Sequence, residues 1–198
     1  FSLNRIGVSD QVEGGDALSM GLEFKRTNIN GFDIIDFKIA NVFKSKENIK
    51  LPTKSKLNQT RSDIVGNLYY KLNKNLELNY DFSYDRDLEY SNYDSINAIF
   101  GVNKFLTSFD YITENHDFGD SEIIKNDTSY KFTDEHAINF NTTKNLKDDF
   151  TQFYKLSYEY ETACLLASFE YQKKFFRDGG LVPDESLVFL IKFIPFVN

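Results

Sequence analysis

The chain has 198 residues, a formal net charge of −7 and 16% aromatic residues, with a single cysteine. Because phosphate binding needs a basic surface, this acidic balance argues against a nucleic-acid partner. No run of about 18 apolar residues occurs, so the sequence excludes a transmembrane helix.

Alternation of apolar and polar residues recurs along almost the whole chain and predicts about eleven β-strands, since successive side chains of a strand point to opposite faces. The pattern begins with Leu18, Met20 and Leu22, and a slip near Ile34 indicates a bulge in the second strand. We predict strands over residues 18–25, 35–39, 64–72, 75–86, 89–100, 105–113, 123–132, 136–141, 150–160, 164–175 and 186–196.

The clearest of these strands is 75–86, NLELNYDFSYDR, which divides its side chains between two chemically different faces. The apolar face carries Leu76, Leu78, Tyr80, Phe82 and Tyr84. The opposite face carries Glu77, Asn79, Asp81 and Asp85. A helix would scatter both sets around its surface, so the segment is predicted to be a strand with one apolar and one polar face.

The predicted connections alternate in length, which indicates an antiparallel meander. Short polar turns lie at 73–74, 103–104, 134–135 and 161–162, and longer loops at 44–61, 116–122, 146–149 and 176–185. Long strands, many Phe and Tyr residues and an aromatic carboxy-terminal end are typical of a transmembrane β-barrel. A soluble β-sandwich also alternates, and it remains an alternative at this point.

No catalytic or metal-binding pattern is found. His116 and His136 have no partner at ligand spacing, and no serine is marked as a nucleophile beside a base. We therefore expect a protein that is not an enzyme and that needs no cofactor or metal. The residues around the lone Cys164 favour an unpaired, partly buried thiol, although a cysteine in another segment could also pair with it.

Three blocks of sequence resemble, in this order, the carboxy-terminal part of the barrel in the LptD family of lipopolysaccharide-assembly proteins. They are NRIGVSDQVEGGDALSMGLEF, RSDIVGNLYYKLNKNLELNYDFSYDRD and YEYETACLLASFEYQKKFFRDGGLVPDESLVFLIKFIPF. The motif residues that carry the resemblance, besides Cys164, are Asn4, Arg5, Gly7, Asp10, Ser62, Asp63 and Gly66.

The resemblance implies a translocon in the outer membrane of a Gram-negative bacterium, with a periplasmic jellyroll and a barrel of about 26 strands. Such a protein inserts lipopolysaccharide into the outer leaflet without covalent chemistry, powered by an inner-membrane ATPase. Its implied partners are an LptE-type lipoprotein plug, an LptA-type periplasmic bridge protein and the outer-membrane lipids. The sugar chain passes through the lumen, and the lipid leaves by a lateral opening between the first and last strands.

The resemblance also implies roles for particular residues. Cys164 corresponds to a cysteine that pairs with one near the amino-terminal domain. The last strand, here taken as 185–196, corresponds to one side of the lateral opening, with Pro195 unable to donate a hydrogen bond. Its lipid-facing residues are Leu187, Phe189, Ile191 and Phe193. The apolar face of strand 75–86 is assigned to lipid, and Glu77, Asn79, Asp81 and Asp85 to the lumen.

The chain departs from the family pattern at Gln11, where relatives carry arginine, and at Leu165, which replaces a second cysteine. Eleven strands cannot close a barrel of about 26. We therefore expect residues 1–198 to form a single barrel segment, an open fragment whose jellyroll and earlier strands lie elsewhere. It should be an open sheet in which the first and last strands do not pair.

Two alternatives predict different structures. A small autonomous porin-like barrel requires the region of Leu18 to pair with that of Phe193. A secreted glycan-binding β-sandwich requires two packed sheets with Phe82 and Tyr84 buried between them.

Overall fold

The computed structural model describes residues 15–49, 56–115, 120–175 and 183–193, and their regular structure is entirely β. The strands form one sheet in the order of the sequence, and the pairs with resolved register are antiparallel. The strands are β1 (Ala17–Thr27), β2 (Asp33–Lys44), β3 (Ile64–Asn73), β4 (Leu76–Tyr84), β5 (Ser91–Val102), β6 (Phe105–Glu114), β7 (Ser121–Lys131), β8 (His136–Asn145), β9 (Phe150–Glu161), β10 (Leu165–Lys174) and β11 (Asp184–Phe193).

The predicted meander of eleven long strands is confirmed, and the sheet is open. Among the described residues, β1 has only β2 as a neighbour and β11 has only β10. This arrangement agrees with the predicted open sheet. The two alternatives were wrong, because the terminal strands do not close a ring and the strands do not divide into two sheets.

The bulge predicted near Ile34 is also confirmed. Arg26 of β1 lies opposite Ile35, while Thr27 lies opposite Asp33, so Ile34 is an extra residue in β2. Because of this extra residue, the polar Asp33 and the apolar Ile35 lie on opposite faces of the sheet.

Short and longer connections alternate along the chain. One set has two to five residues, 28–32, 74–75, 103–104, 132–135 and 162–164, and the set between them is longer except at the four-residue connection 146–149: 45–63, 85–90, 115–120, 146–149 and 175–183. Polar side chains set the short turns: Asn73 Oδ1 accepts the backbone N–H groups of Asn75 and Leu76 at 2.8 and 3.1 Å. Asn103 adopts a φ of 53°, which asparagine tolerates better than most residues.

Burial among the described residues is the reverse of that in a soluble domain. Val42 is the buried hydrophobic residue in that part of the chain. The buried polar residues are Asp36, Ser62, Asp63, Ser83, Asp85, Thr107, Thr143, Ser157 and Ser168. Large apolar side chains are instead widely exposed, as Leu22 is at 74% and Phe193 at 79%. Apolar surface of this extent needs a non-aqueous neighbour.

Contacts group the chain into two compact units. The first contains β1, β2, nearly all of β3, most of β4 and the beginning of β5. The second contains the remainder of β5, most of β6 and all of β7 to β11. Each unit has its own apolar and polar surfaces, described separately below.

Some predicted positions lie outside the described residues. They are Asn4, Arg5, Gly7, Asp10, Gln11, His116 and Pro195. The last strand, predicted over 185–196, is described from Asp184 to Phe193. No helix in the described ranges is long and apolar enough to cross a membrane.

Candidate functional site

The apolar face of the first unit begins on β1. Leu18, Leu22 and Phe24 are each more than half exposed on this face. The register places them opposite Phe43, Ile39 and Phe37 of β2, respectively. Since paired residues share a face, two neighbouring strands present one continuous apolar surface.

On β4 the apolar face is a row of aromatic rings. The ring of Phe82 lies between those of Tyr80 and Tyr84, with centroid distances of 5.4 and 5.7 Å. Phe82 also lies over Gly66 of β3, where a Cβ atom would clash with the ring. The motif glycine is therefore explained by packing: it leaves room for an aromatic side chain of the next strand.

A carboxylate of the neighbouring strand contacts this aromatic row, and the alternation did not predict the contact. Tyr80 Oη donates a hydrogen bond of 2.5 Å to Asp94 Oδ1 of β5, and Tyr84 Oη lies 3.4 Å from Tyr80 Oη. The hydroxyl group of Tyr80 thus provides the acid with a polar partner on a mostly apolar surface.

The polar face of β4 carries hydrogen bonds to β3. Asn67 Nδ2 donates to Asn79 Oδ1 and Asp81 Oδ1 at 2.9 and 2.7 Å, and Asn79 Nδ2 donates to Asp81 Oδ2 at 2.8 Å. Glu77 follows the same alternation on β4. Three of the residues predicted to face a lumen are therefore on one face, and their role in a lumen stays a prediction.

Asp63, in the connection before β3, is the most buried of the motif residues, at 1% exposure. Its Oδ2 atom accepts hydrogen bonds from Asn92 Nδ2 at 2.8 Å and from Ser83 Oγ at 3.4 Å. Its Oδ1 atom is buried without a partner. Burial raises the pKa of the Asp63 carboxyl, and the two donors oppose that rise only partly.

Ser62 connects the same segment to the end of β2. Its Oγ atom accepts the backbone N–H of Val42 at 3.0 Å and donates to the carbonyl of Asp63 at 2.8 Å. Asn41 Nδ2 adds donations to the carbonyls of Ser62 and Asp63. The Ser62–Asp63 block thus joins β2, β3, β4 and β5 where long connections leave the sheet.

Asp85 occupies a different place from the other predicted lumen residues, because β4 ends at Tyr84. Its carboxylate accepts the backbone N–H groups of Asp87, Glu89 and Tyr90 at 3.1, 2.6 and 3.1 Å. Desolvation opposes its ionisation, but these donors outweigh that effect and lower the pKa of Asp85. The side chain organises the 85–90 turn, and its assignment to a lumen remains untested.

The apolar face of the second unit extends across four strands. Phe140 pairs with Leu156, Leu156 with Tyr171, and Tyr171 with Leu187, which forms one row from β8 to β11. A parallel row is formed by Ile138, Tyr158, Phe169 and Phe189. All of these residues except Tyr171 are more than a third exposed, so the surface is apolar and uncovered in the described part of the chain.

The polar face of the second unit contains a pocket of about 400 Å³, here named the polar groove. One row of its lining joins Asp127, Asn141 and Lys155, and the next joins Ser129, Asn139 and Ser157. The remaining lining residues are Ile99, Leu106, Ser108, Thr128 and Glu159. None of them was identified from the sequence, because the pairing register, and not local alternation, brings them together.

At the edge of the second unit, β11 exposes apolar side chains on both faces, although Asp184, Glu185 and Lys192 are exposed too. Leu187, Phe189, Ile191 and Phe193 share one face and are 63%, 63%, 54% and 79% exposed. On the other face Val188 and Leu190 are 39% and 51% exposed. They lie opposite Glu170 and Ser168 of β10, so apolar side chains adjoin a polar surface there. Pro195 lies outside the described residues.

Cys164 lies in the short turn between β9 and β10, and not at the start of a strand. Its thiol is free and exposed, with Thr162 Oγ1 at 3.9 Å. The expected partial burial was therefore wrong, because the two-residue alternation that would turn the side chain inward begins only at Leu165.

Among the described residues, no group of three or more His, Cys, Asp and Glu side chains is arranged to hold a metal ion. His136 is engaged otherwise: its Nδ1 atom lies 2.7 Å from Tyr158 Oη, and its ring stacks on Tyr158 and Tyr160. It is thus part of an aromatic cluster.

Comparison with known families agrees with the two-faced sheet. No curated protein matches the chain. A family model, LptD (LPS transport system D), matches residues 1–160. The matched span contains the Ser62–Asp63 block and Gly66 and ends before Cys164 and β11. The chain belongs to the LptD family, and its open all-β sheet is that of an outer-membrane protein of lipopolysaccharide transport.

Proposed function

We propose that this chain forms part of the wall of a translocon that inserts lipopolysaccharide into the outer leaflet of the outer membrane. The observation that carries the proposal is β11, an edge strand that exposes apolar side chains on both faces, with Lys192 and the acids Asp184 and Glu185 near its ends. A strand buried in a closed wall needs an apolar side only toward lipid. A strand beside which an acyl chain passes benefits from apolar side chains on both faces.

The two faces of the sheet fit the two parts of an amphiphilic substrate. At the edge of the sheet, Phe169 of β10 and Phe189 of β11 provide the apolar surface that a passing acyl chain requires. Phe140 and Ile138, three strands away on β8, instead face the surrounding membrane lipid. The opposite faces, with Asn67, Asp81 and the polar groove, provide hydrogen-bonding groups for a hydrated saccharide. In this proposal the lipid passes beside β11 while the saccharide follows the polar surface.

Cys164 and the partner proteins complete the proposal. An exposed thiol in a short turn is accessible to a cysteine of another segment, which is the pairing that the family resemblance implies. An LptE-type lipoprotein would plug the lumen, and an LptA-type bridge protein would deliver the lipid from the periplasm. The protein would act without covalent chemistry.

A photocrosslinking experiment in living cells tests the lateral path. Benzoylphenylalanine at Phe189 of β11 should form a covalent adduct with lipopolysaccharide on irradiation. The matched control is Phe140, which is also on an apolar face but three strands from the edge. Adducts at Phe189 and few at Phe140 would support the proposal. Equal labelling at both positions, or none at Phe189, would contradict it.

A further inference from the structure

The polar groove is set out by the register of β7, β8 and β9. Asp127 pairs with Asn141, and Asn141 with Lys155. The next polar row on this face joins Ser129, Asn139 and Ser157. The two rows form a small grid of polar groups, since neighbouring strands are about 4.8 Å apart. A volume of about 400 Å³ falls within the usual range for small-ligand sites.

Several polar side chains of the groove have no partner within the described part of the chain. Asn141 Nδ2 donates to Asp127 Oδ1. By contrast, Ser129, Asn139 and Lys155 make no side-chain hydrogen bond or ion pair with the residues that the structure describes. Ser157 is only 3% exposed, and its hydroxyl likewise lacks a partner among the described residues. Its Oγ atom is not among the fully buried polar atoms that lack a partner, so the hydroxyl is open to the groove and available to a ligand.

The chemistry of the lining selects one class of ligand. Serine hydroxyls, asparagine amides and carboxylates together supply both donors and acceptors, which matches the hydroxyl groups of a sugar. Ile99 and Leu106 supply apolar contact for its C–H faces. Two carboxylates, Asp127 and Glu159, against the one ammonium of Lys155 disfavour an anion such as a phosphate.

We propose that the polar groove is a binding subsite for an uncharged saccharide unit, held by hydrogen bonds from Asn139 and Ser157. The proposal rests on the proposed function, in which the saccharide follows this surface. It adds a location and a preference: uncharged saccharide units bind at the groove, while phosphate-bearing units do not.

The test uses the intact protein in detergent micelles. The probes are neutral oligosaccharides and their phosphate-ester derivatives, used as separate uncharged and phosphate-bearing fractions. Saturation-transfer NMR titration measures their affinities. The uncharged fraction should bind more tightly, and the Asn139→Ala/Ser157→Ala variant should bind it about tenfold more weakly, as expected for the loss of two hydrogen bonds.

The matched control is Gln172→Ala, on the neighbouring β10 opposite Lys155 but outside the groove lining. Circular dichroism checks that each variant is folded. An unfolded double variant would be replaced by the single Asn139→Ala substitution, expected to weaken binding about threefold. Tighter binding of the phosphate-bearing fraction, or equal affinity in wild-type and groove variants, would overturn the subsite. The Phe189 crosslink would be unaffected by that result, so failure of the groove and failure of the transport proposal are distinguishable.

Discussion

Gly66 shows how a motif residue can be fixed by its neighbour across the sheet. A Cβ atom at this position would come within 2.7 Å of the Lys38 carbonyl oxygen and closer still to the ring of Phe82. Contacts below 3.0 Å involving backbone cannot be relieved by rotating a side chain. The glycine therefore serves the packing of β2, β3 and β4.

We expect Gly66→Ala to lower the free energy of unfolding by about 1–3 kcal/mol, the usual cost of overpacking. Urea titration of the protein in detergent measures it. Gly101→Ala is the control, because its Cβ would meet a flexible Leu106 side chain at 3.3 Å. Combining Gly66→Ala with Phe82→Ala should recover part of the loss. Strict additivity would show that the ring is not the cause.

Asp63 combines nearly complete burial with an oxygen that lacks a partner. Because burial raises its pKa above the ordinary value of about 3.9, the folded protein holds the proton more tightly than the unfolded chain does. The stability contributed by Asp63 is therefore present below pH 4 and is lost as the pH rises through its folded pKa.

The side chain of Asp63→Asn does not titrate. As the pH rises from 4 to 7, the free energy of unfolding of this variant should therefore increase relative to that of the wild type. Asp149→Asn should show a small change of opposite sign, because the hydrogen bond and charge of Lys144 lower the pKa of Asp149. Urea titrations at the two pH values measure both. Parallel profiles for wild type and Asp63→Asn would exclude a raised pKa at Asp63.

Two contacts of strand β5 could not be predicted from the alternation of apolar and polar residues. The alternation did predict the strands and the extra residue at Ile34, because both depend on local spacing. It could not find that Asn92 contacts Asp63 while Asp94, two residues later, contacts Tyr80. Alternation places these two residues on one face, whereas Asp63 lies in a connection beside Ser83 of the polar face and Tyr80 lies on the apolar face of β4. Such contacts depend on register between strands, which the sequence does not show locally.

The two faces of β10 provide a direct test of the membrane assignment at the level of one strand. Phe169 lies near the middle of β10 on the apolar face, and Glu170 follows on the polar face. We expect Phe169→Lys to reduce the stability of the bilayer-inserted protein by about 2–4 kcal/mol, the cost of a lysine at the bilayer midplane. Glu170→Lys should cost less than about 1 kcal/mol.

Urea unfolding in lipid vesicles measures the free energy of unfolding of both variants. The informative quantity is the difference between the two, because the substituted positions are adjacent and face opposite sides of the sheet. In buffer that contains neither detergent nor lipid, neither variant has a bilayer to enter, so no difference between the two is expected there. If Glu170→Lys were the more damaging change in vesicles, the assignment of the faces would have to be reversed.

For the molecule as a whole, burial is more informative than any single motif. The described residues bury polar side chains and expose aromatic ones, which a transmembrane sheet requires and a soluble domain avoids. The sequence predicted this from the two faces of strand 75–86 and from the family resemblance. It did not predict the polar groove, whose residues come from β5 to β9 and become neighbours only when five strands pair in register.

Cys164 has an exposed thiol whose pairing with a cysteine of another segment is a prediction from the family resemblance. Because its thiol is exposed in a short turn, a disulfide to a cysteine of another segment would require no rearrangement of β9 or β10. We expect the intact protein from oxidising periplasm to migrate faster on a non-reducing gel than after reduction, since a closed loop is more compact. Cys164→Ser should abolish this difference, whereas Ala163→Ser, at the adjacent exposed turn position, should not. An unchanged shift in Cys164→Ser would assign the disulfide to other cysteines and leave Cys164 as a free surface thiol.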